Sequence, residues 1–115
     1  MAFQKVMTMA ELGDRDCASV SLAGELVALF RVGEELFAVQ DRCSHARWPL
    51  TKGVYRDGVV ECALHKAQFC VRTGAALRLP ATRPVRTYPL KVENGDIYVD
   101  IETADEGTQH GMARG

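Results

Sequence analysis

Two pairs of residues in this 115-residue chain have the types and spacing to hold a metal. Cys43 and His45 form a C-x-H pair, and Cys62 and His65 form a C-x-x-H pair beginning after a gap of sixteen residues. Thiolate and imidazole together suit an iron–sulfur cluster or zinc. A mixed-ligand [2Fe–2S] cluster takes two cysteines on one iron and two histidines on the other. Two loops that each supply one Cys and one His meet that need. A structural zinc finger instead pairs C-x-x-C with a later H-x-x-x-H on a helix, an arrangement absent here. A zinc-stabilised interaction module is the alternative reading. A Cys43–Cys62 disulfide is disfavoured in a reducing compartment.

The segments around these pairs read as short strands joined by turns. Phe3–Met7 alternates, and Met9–Asp14 reads as one turn of helix or a loop. In Cys17–Leu22 the residues Ala18, Val20 and Leu22 share one face, as a half-buried strand requires, which leaves Cys17 outward. Gly33-Glu34 between Glu25–Val32 and Leu36–Gln40 signals a hairpin. Asp57-Gly58 between Gly53–Arg56 and Gly58–Glu61 signals a second. Asn94-Gly95 between Leu90–Glu93 and Asp96–Ile101 is the strongest turn signal. Phe69-Cys70-Val71 reads as a strand with Cys70 as a buried free thiol. Three stretches resist strand assignment: Arg42–Thr51 and Ala63–Lys66, which carry the Cys and His residues, and Thr73–Pro84. Many short strands with Gly-rich turns predict an all-β barrel or sandwich. The polar, aperiodic tail 103–115 is expected to be disordered, with one domain over 1–102.

Net charge is −1, but the distribution is uneven. Residues 1–41 carry three Lys/Arg against seven Asp/Glu, residues 42–91 ten against two, and residues 92–115 one against six. The basic middle coincides with the proposed metal site. Its basic residues are spread singly with few aromatics among them, which argues against nucleic acid. No apolar run approaches a membrane span, and the N-terminus lacks the apolar core of a signal peptide. The expectation is a cytoplasmic protein with no membrane partner. No Ser/His/Asp set, paired acids or phosphate loop suggests a self-contained enzyme.

The chain resembles the Rieske-type ferredoxins of bacterial aromatic-ring-hydroxylating dioxygenase systems. The residues that carry the likeness are Asp41–His45, Trp48-Pro49-Leu50, Val60–His65, Phe69–Gly74 and Arg86–Asp96. The resemblance spans roughly Phe3 to Ile101. It implies one [2Fe–2S] cluster per chain, with Cys43 and Cys62 on one iron and His45 and His65 on the outer iron. It also implies a cluster-binding subdomain, about residues 42–84, in which a loop containing Pro80 covers the cluster. The implied role is one-electron transfer from a flavin-containing ferredoxin reductase to a terminal oxygenase in aromatic hydrocarbon catabolism. A small Rieske-like subunit of a nitrite reductase complex is a second possibility, encouraged by the His65-Lys66 dipeptide.

Departures from the family pattern carry their own expectations. Ala46 and Lys66 stand where the ligand loops often carry Gly. High-potential relatives bridge their loops with a disulfide at positions held here by Trp48 and Leu64. They also place hydroxyls where this chain has Ala67 and Phe69. Hydrogen bonds to sulfur raise the potential, so their loss points to the low end of the Rieske range, around −150 mV. Trp48 and Pro49 are expected to shield the cluster or simply to pack. Arg47 and Lys66 are expected to meet acidic patches on partners.

Overall fold

The computed structural model describes residues 3–42, 48–63, 66–78 and 83–103. The stretches that contain Cys43, His45, Arg47, His65, Pro80 and the tail from 104 lie outside the described residues. Strand β1 (Gln4–Thr8) runs into a single helical turn α1 (Met9–Leu12). Thr8 and Glu11 start that turn as a reciprocal capping box: Glu11 N–H donates to Thr8 Oγ1 at 3.0 Å and Thr8 N–H donates to Glu11 Oε1 at 2.8 Å. There follow β2 (Cys17–Leu22), β3 (Glu25–Val32) and β4 (Glu35–Gln40), and then a short 3-10 turn over Leu50–Lys52. Next come β5 (Val54–Arg56), β6 (Val59–Glu61), β7 (Gln68–Cys70) and β8 (Ala76–Arg78). Strands β9 (Thr87–Tyr88), β10 (Leu90–Glu93) and β11 (Asp96–Val99) complete the set.

The strands form three antiparallel sheets, ordered β1-β11-β10, β2-β3-β4-β9 and β5-β6-β7-β8. The tight hairpins follow from their turn residues. Asp57-Gly58 and Asn94-Gly95 both adopt paired positive φ, as a type I′ turn demands, and so do Ala23-Gly24 between β2 and β3. The Asn and Asp positions are tolerant of that region, whereas Ala23 is there because the turn closes β2 on β3.

The β2-β3-β4-β9 sheet is the middle layer. Val27, Ala28, Leu29 and Phe30 are all fully buried, an unbroken run rather than an alternation. Ala28, Phe30 and Val39 pack with Leu50, Val60, Phe69 and Val85 on one side. Val27, Leu29 and Ala38 pack with Leu12, Ile97 and Val99 on the other. A strand with both faces covered needs apolar residues at every position. The same fact corrects the expectation for Cys17. It pairs with Phe30 across β2–β3, is half-buried and packs against the first of these clusters, because the outward face of β2 is covered at its Cys17 end, while Ser19 and Ser21 on that face are exposed.

Two further expectations change. The stretch Thr73–Pro84 contains strand β8, and Thr87–Tyr88 forms β9 at the edge of the middle sheet. Cys70 is half-buried rather than buried, since the alternation of β7 turns Phe69 inward and Cys70 away from the core. Tyr55 fastens the β5–β6 hairpin to β3. Its hydroxyl donates to the Arg31 carbonyl at 2.6 Å and accepts the Gly58 N–H at 3.1 Å, while its ring lies 4.8 Å from that of Phe30.

Candidate metal centre

Each ligand loop springs from the end of a strand and is closed at its neck by hydrogen bonds. The first loop leaves β4 at Asp41 and returns at Trp48-Pro49 and the 3-10 turn. Asp41 is almost completely buried, and its carboxylate accepts three bonds. Thr51 donates both its N–H, at 2.9 Å, and its hydroxyl, at 2.8 Å, and Ser19 donates its hydroxyl at 2.6 Å. The Asp41 N–H donates to the Leu26 carbonyl at 2.9 Å. A buried carboxylate needs such donors, and here they tie the two ends of the loop to each other and to β2 and β3.

The second loop leaves β6 at Cys62. Cys62 N–H donates to the Ala67 carbonyl at 2.7 Å, and Lys66 N–H donates to the Cys62 carbonyl at 3.0 Å. Lys66 sits at φ 62°, the left-handed conformation that closes the turn. The next turn along the chain repeats the pattern. Cys70 N–H donates to the Ala75 carbonyl at 2.9 Å and Gly74 N–H to the Cys70 carbonyl at 2.7 Å, with Gly74 at φ 81°. The third loop is anchored by Val85 N–H on the Gly74 carbonyl, at 2.8 Å. Arg86 then exchanges bonds with Gln40 beside the neck of the first loop, its carbonyl accepting from Gln40 N–H and its N–H donating to Gln40 Oε1.

Two glycines let these necks come together. A side chain at Gly53 would collide with the Glu61 carbonyl, so the first loop can return against the start of the second only with Gly there. A side chain at Gly74 would collide with the Val85 carbonyl, at a backbone position already in the left-handed region.

Of the four candidate ligands, Cys62 is described: it is fully buried, at the floor of its loop, and its thiol is free. Cys43, His45 and His65 lie outside the described residues. A buried free thiol on a pre-closed turn, with a histidine three residues on, suits an iron held away from water, and the Cys₂His₂ donor set suits a mixed-ligand cluster. Ala67 and Phe69 are fully buried and bring only hydrocarbon to this region. Trp48 is partly exposed. Together with Pro49 it borders a pocket of about 300 Å³ that also touches Leu26 and Arg42. Cys17 and Cys70 are free thiols, and burial pushes the Cys17 thiol up, with Asp16 and Asp41 adding to the shift and Arg15 opposing it. The one local sequence signal for the neck of Asp41, Thr51 and Ser19 is the Asp two residues before the first candidate ligand Cys.

Fold and loop anatomy define a class: small all-β proteins that carry paired Cys/His loops on short, hydrogen-bonded necks. Residues 2–89 match the Rieske [2Fe–2S] domain, and the chain belongs to that family. The ferredoxin component of biphenyl 2,3-dioxygenase from Rhodococcus jostii (strain RHA1) is 45% identical over 102 residues, covering 89% of this chain and 95% of that protein. The ferredoxin of carbazole 1,9a-dioxygenase from Nocardioides aromaticivorans IC177 has a TM-score of 0.80 at 34% identity, covering 86% of this chain and 97% of that one. A chain in a complex of reduced oxygenase and oxidized ferredoxin of carbazole 1,9a-dioxygenase has a TM-score of 0.78 at 30% identity, covering 84% of this chain and 91% of that one. The resident cofactor is one [2Fe–2S] cluster. Among the described residues no helix is long and apolar enough to cross a membrane.

Proposed function

We propose that the chain is the ferredoxin component of a bacterial aromatic-ring-hydroxylating dioxygenase, a one-electron carrier and not itself the oxygenase. The electron donor is a flavin-containing ferredoxin reductase, the acceptor is the terminal oxygenase, and the compartment is the cytoplasm. Residues 42–84 serve as the cluster-binding subdomain. Cys43 and Cys62 hold the inner iron through thiolate, and His45 and His65 hold the outer iron through imidazole. When bound, the cluster supplies a single-electron couple. The protein's part is to keep the ligand loops pre-formed, to exclude water at Cys62, and to leave the histidine side accessible to partners.

The observation that carries this reading is Cys62: a buried free thiol on a closed turn in a chain whose relatives are dioxygenase ferredoxins. Those relatives favour the shuttle over a nitrite reductase subunit, and family membership favours iron over zinc. The test is metal and sulfide analysis of the purified protein together with Cys62→Ser. Iron and acid-labile sulfide in equal amounts, both lost in Cys62→Ser, are expected. Zinc without sulfide would sink the proposal.

A further inference from the structure

Asp41 brings a charge to the neck of the first ligand loop, and fastening that neck does not require one. It is 1% exposed, and Asp41 and Asp100 are the buried charged residues among those described. Asp100 starts the 3-10 turn over Ile101–Thr103, accepting from the Glu102 N–H and the Thr103 hydroxyl. Asp41 instead stands two residues before Cys43, and two residues of chain span at most about 7 Å. Its partner Thr51 follows Leu50, which shares a buried cluster with Cys62. A neutral amide would close the same neck. It would accept from the Thr51 N–H, and the Thr51 and Ser19 hydroxyls can turn to accept from it, since a hydroxyl does both. Burying a charge costs far more than burying an amide. Fastening alone therefore leaves the charge without a reason.

Resting on the function proposed above, we infer that the Asp41 carboxylate is a fixed buried charge that lowers the reduction potential of the cluster. One-electron reduction adds one negative charge to the cluster, and Asp41 exchanges neither electron nor proton. A negative charge held nearby opposes that addition, so the potential falls. Arg42 and Lys66, beside the same loops, carry the opposite sign, but both are exposed and salt screens them. A buried charge acts through a medium of low dielectric and keeps its effect. The three donors hold the carboxylate in one place, and Ser19 does so from β2, outside the ligand loops. A lower potential makes the carrier a stronger donor to the oxygenase and a harder acceptor from the reductase. Asp41 thus works alongside Ala67 and Phe69, which offer no hydroxyl to sulfur, but through charge rather than through a missing hydrogen bond.

The test is voltammetry of the intact holoprotein. The wild type must first show a [2Fe–2S] visible spectrum and a one-electron wave; a protein without them overturns the functional reading and the inference with it. Asp41→Asn is then expected to raise the potential by about 59 mV, a tenfold shift of a one-electron equilibrium, with the visible spectrum unchanged. The difference should persist at roughly 1 M salt, where exposed charges are screened within about 3 Å. Ser19→Ala removes one fastening and keeps the charge, and its potential is expected to stay at or below the wild-type value. If Asp41→Asn holds no cluster, Ser19→Lys takes its place: it leaves Asp41 intact, sets an ammonium within reach of the carboxylate from exposed β2, and should also raise the potential. A wild-type potential in Asp41→Asn, or in Ser19→Lys where that variant stands in, would overturn the inference. So would a difference that vanishes in high salt. An equal rise in Ser19→Ala and Asp41→Asn would overturn it in favour of a loosened neck.

Discussion

Lys66 occupies a backbone position that its neighbouring turn gives to glycine. Its φ of 62° matches that of Gly74 at 81°, and the two turns share their hydrogen-bond pattern. A non-glycine residue in this region carries a steric cost of about 1–2 kcal/mol. Replacing Lys66 by Gly removes that cost but gives the unfolded chain more freedom, so Lys66→Gly is expected to gain about 0.5–1 kcal/mol. Urea denaturation of the holoprotein checks this, and a loss of stability would show that the lysine side chain holds the turn. Asp41 works in the opposite sense. Removing its carboxylate strands the Thr51 and Ser19 donors, so Asp41→Ala is expected to cost about 3 kcal/mol and to speed cluster loss, read as decay of visible absorbance. Ala67 bears on the potential. Ala67→Ser offers a hydroxyl where the high-potential relatives have one, and voltammetry should find the potential raised by roughly 50 mV, the equivalent of about 1 kcal/mol for a one-electron couple. An unchanged value would mean that the hydroxyl does not reach sulfur.

The elements behave as clamps for the loops. Tyr55→Phe leaves the Arg31 carbonyl and Gly58 N–H without their shared partner, and a loss of about 1–2 kcal/mol is expected. Burial holds the Tyr55 phenol above its ordinary value, with the Gly58 N–H opposing, and burial likewise raises Cys17. Both groups ionise sooner in the unfolded chain, so their contribution is complete at neutral pH and is lost as pH rises, above about 9 for Cys17 and above about 10 for Tyr55. A stability profile measured from pH 7 to 11 should fall on the alkaline side. The hairpins were legible because Asn94-Gly95, Asp57-Gly58 and Gly33 announce their turns locally. Strand β8 was hidden because Ala76–Arg78 lies among Gly and Pro residues, and its pairing with β7 is a tertiary fact. The place of Cys17 is hidden for a related reason: alternation in β2 shows one buried face, while cover over the Cys17 end of the other face comes from residues distant in sequence. The unbroken run Val27–Phe30 was the clue to a doubly covered strand. The Cys/His spacing made the ligand set legible, whereas the neck at Asp41 and Thr51 joins residues whose partnership no local pattern marks.

At the scale of the molecule, the basic middle segment lies between two acidic ones, and two of its residues, Arg47 and Lys66, adjoin the ligand histidines. Partners approach through a field that salt screens over about 10 Å at 0.1 M. Lys66→Glu is expected to slow electron transfer to the oxygenase and to flatten its salt dependence, and an unchanged rate across salt would remove the charge from the docking account. The central claim is the mixed Cys/His cluster itself. It is tested most directly by the visible and EPR spectra of the purified protein before and after dithionite. A brown protein that bleaches, with a reduced-state average g value below that of all-cysteine clusters, is the result the ligand assignment predicts. A colourless protein that holds zinc even after anaerobic reconstitution with iron and sulfide would contradict it.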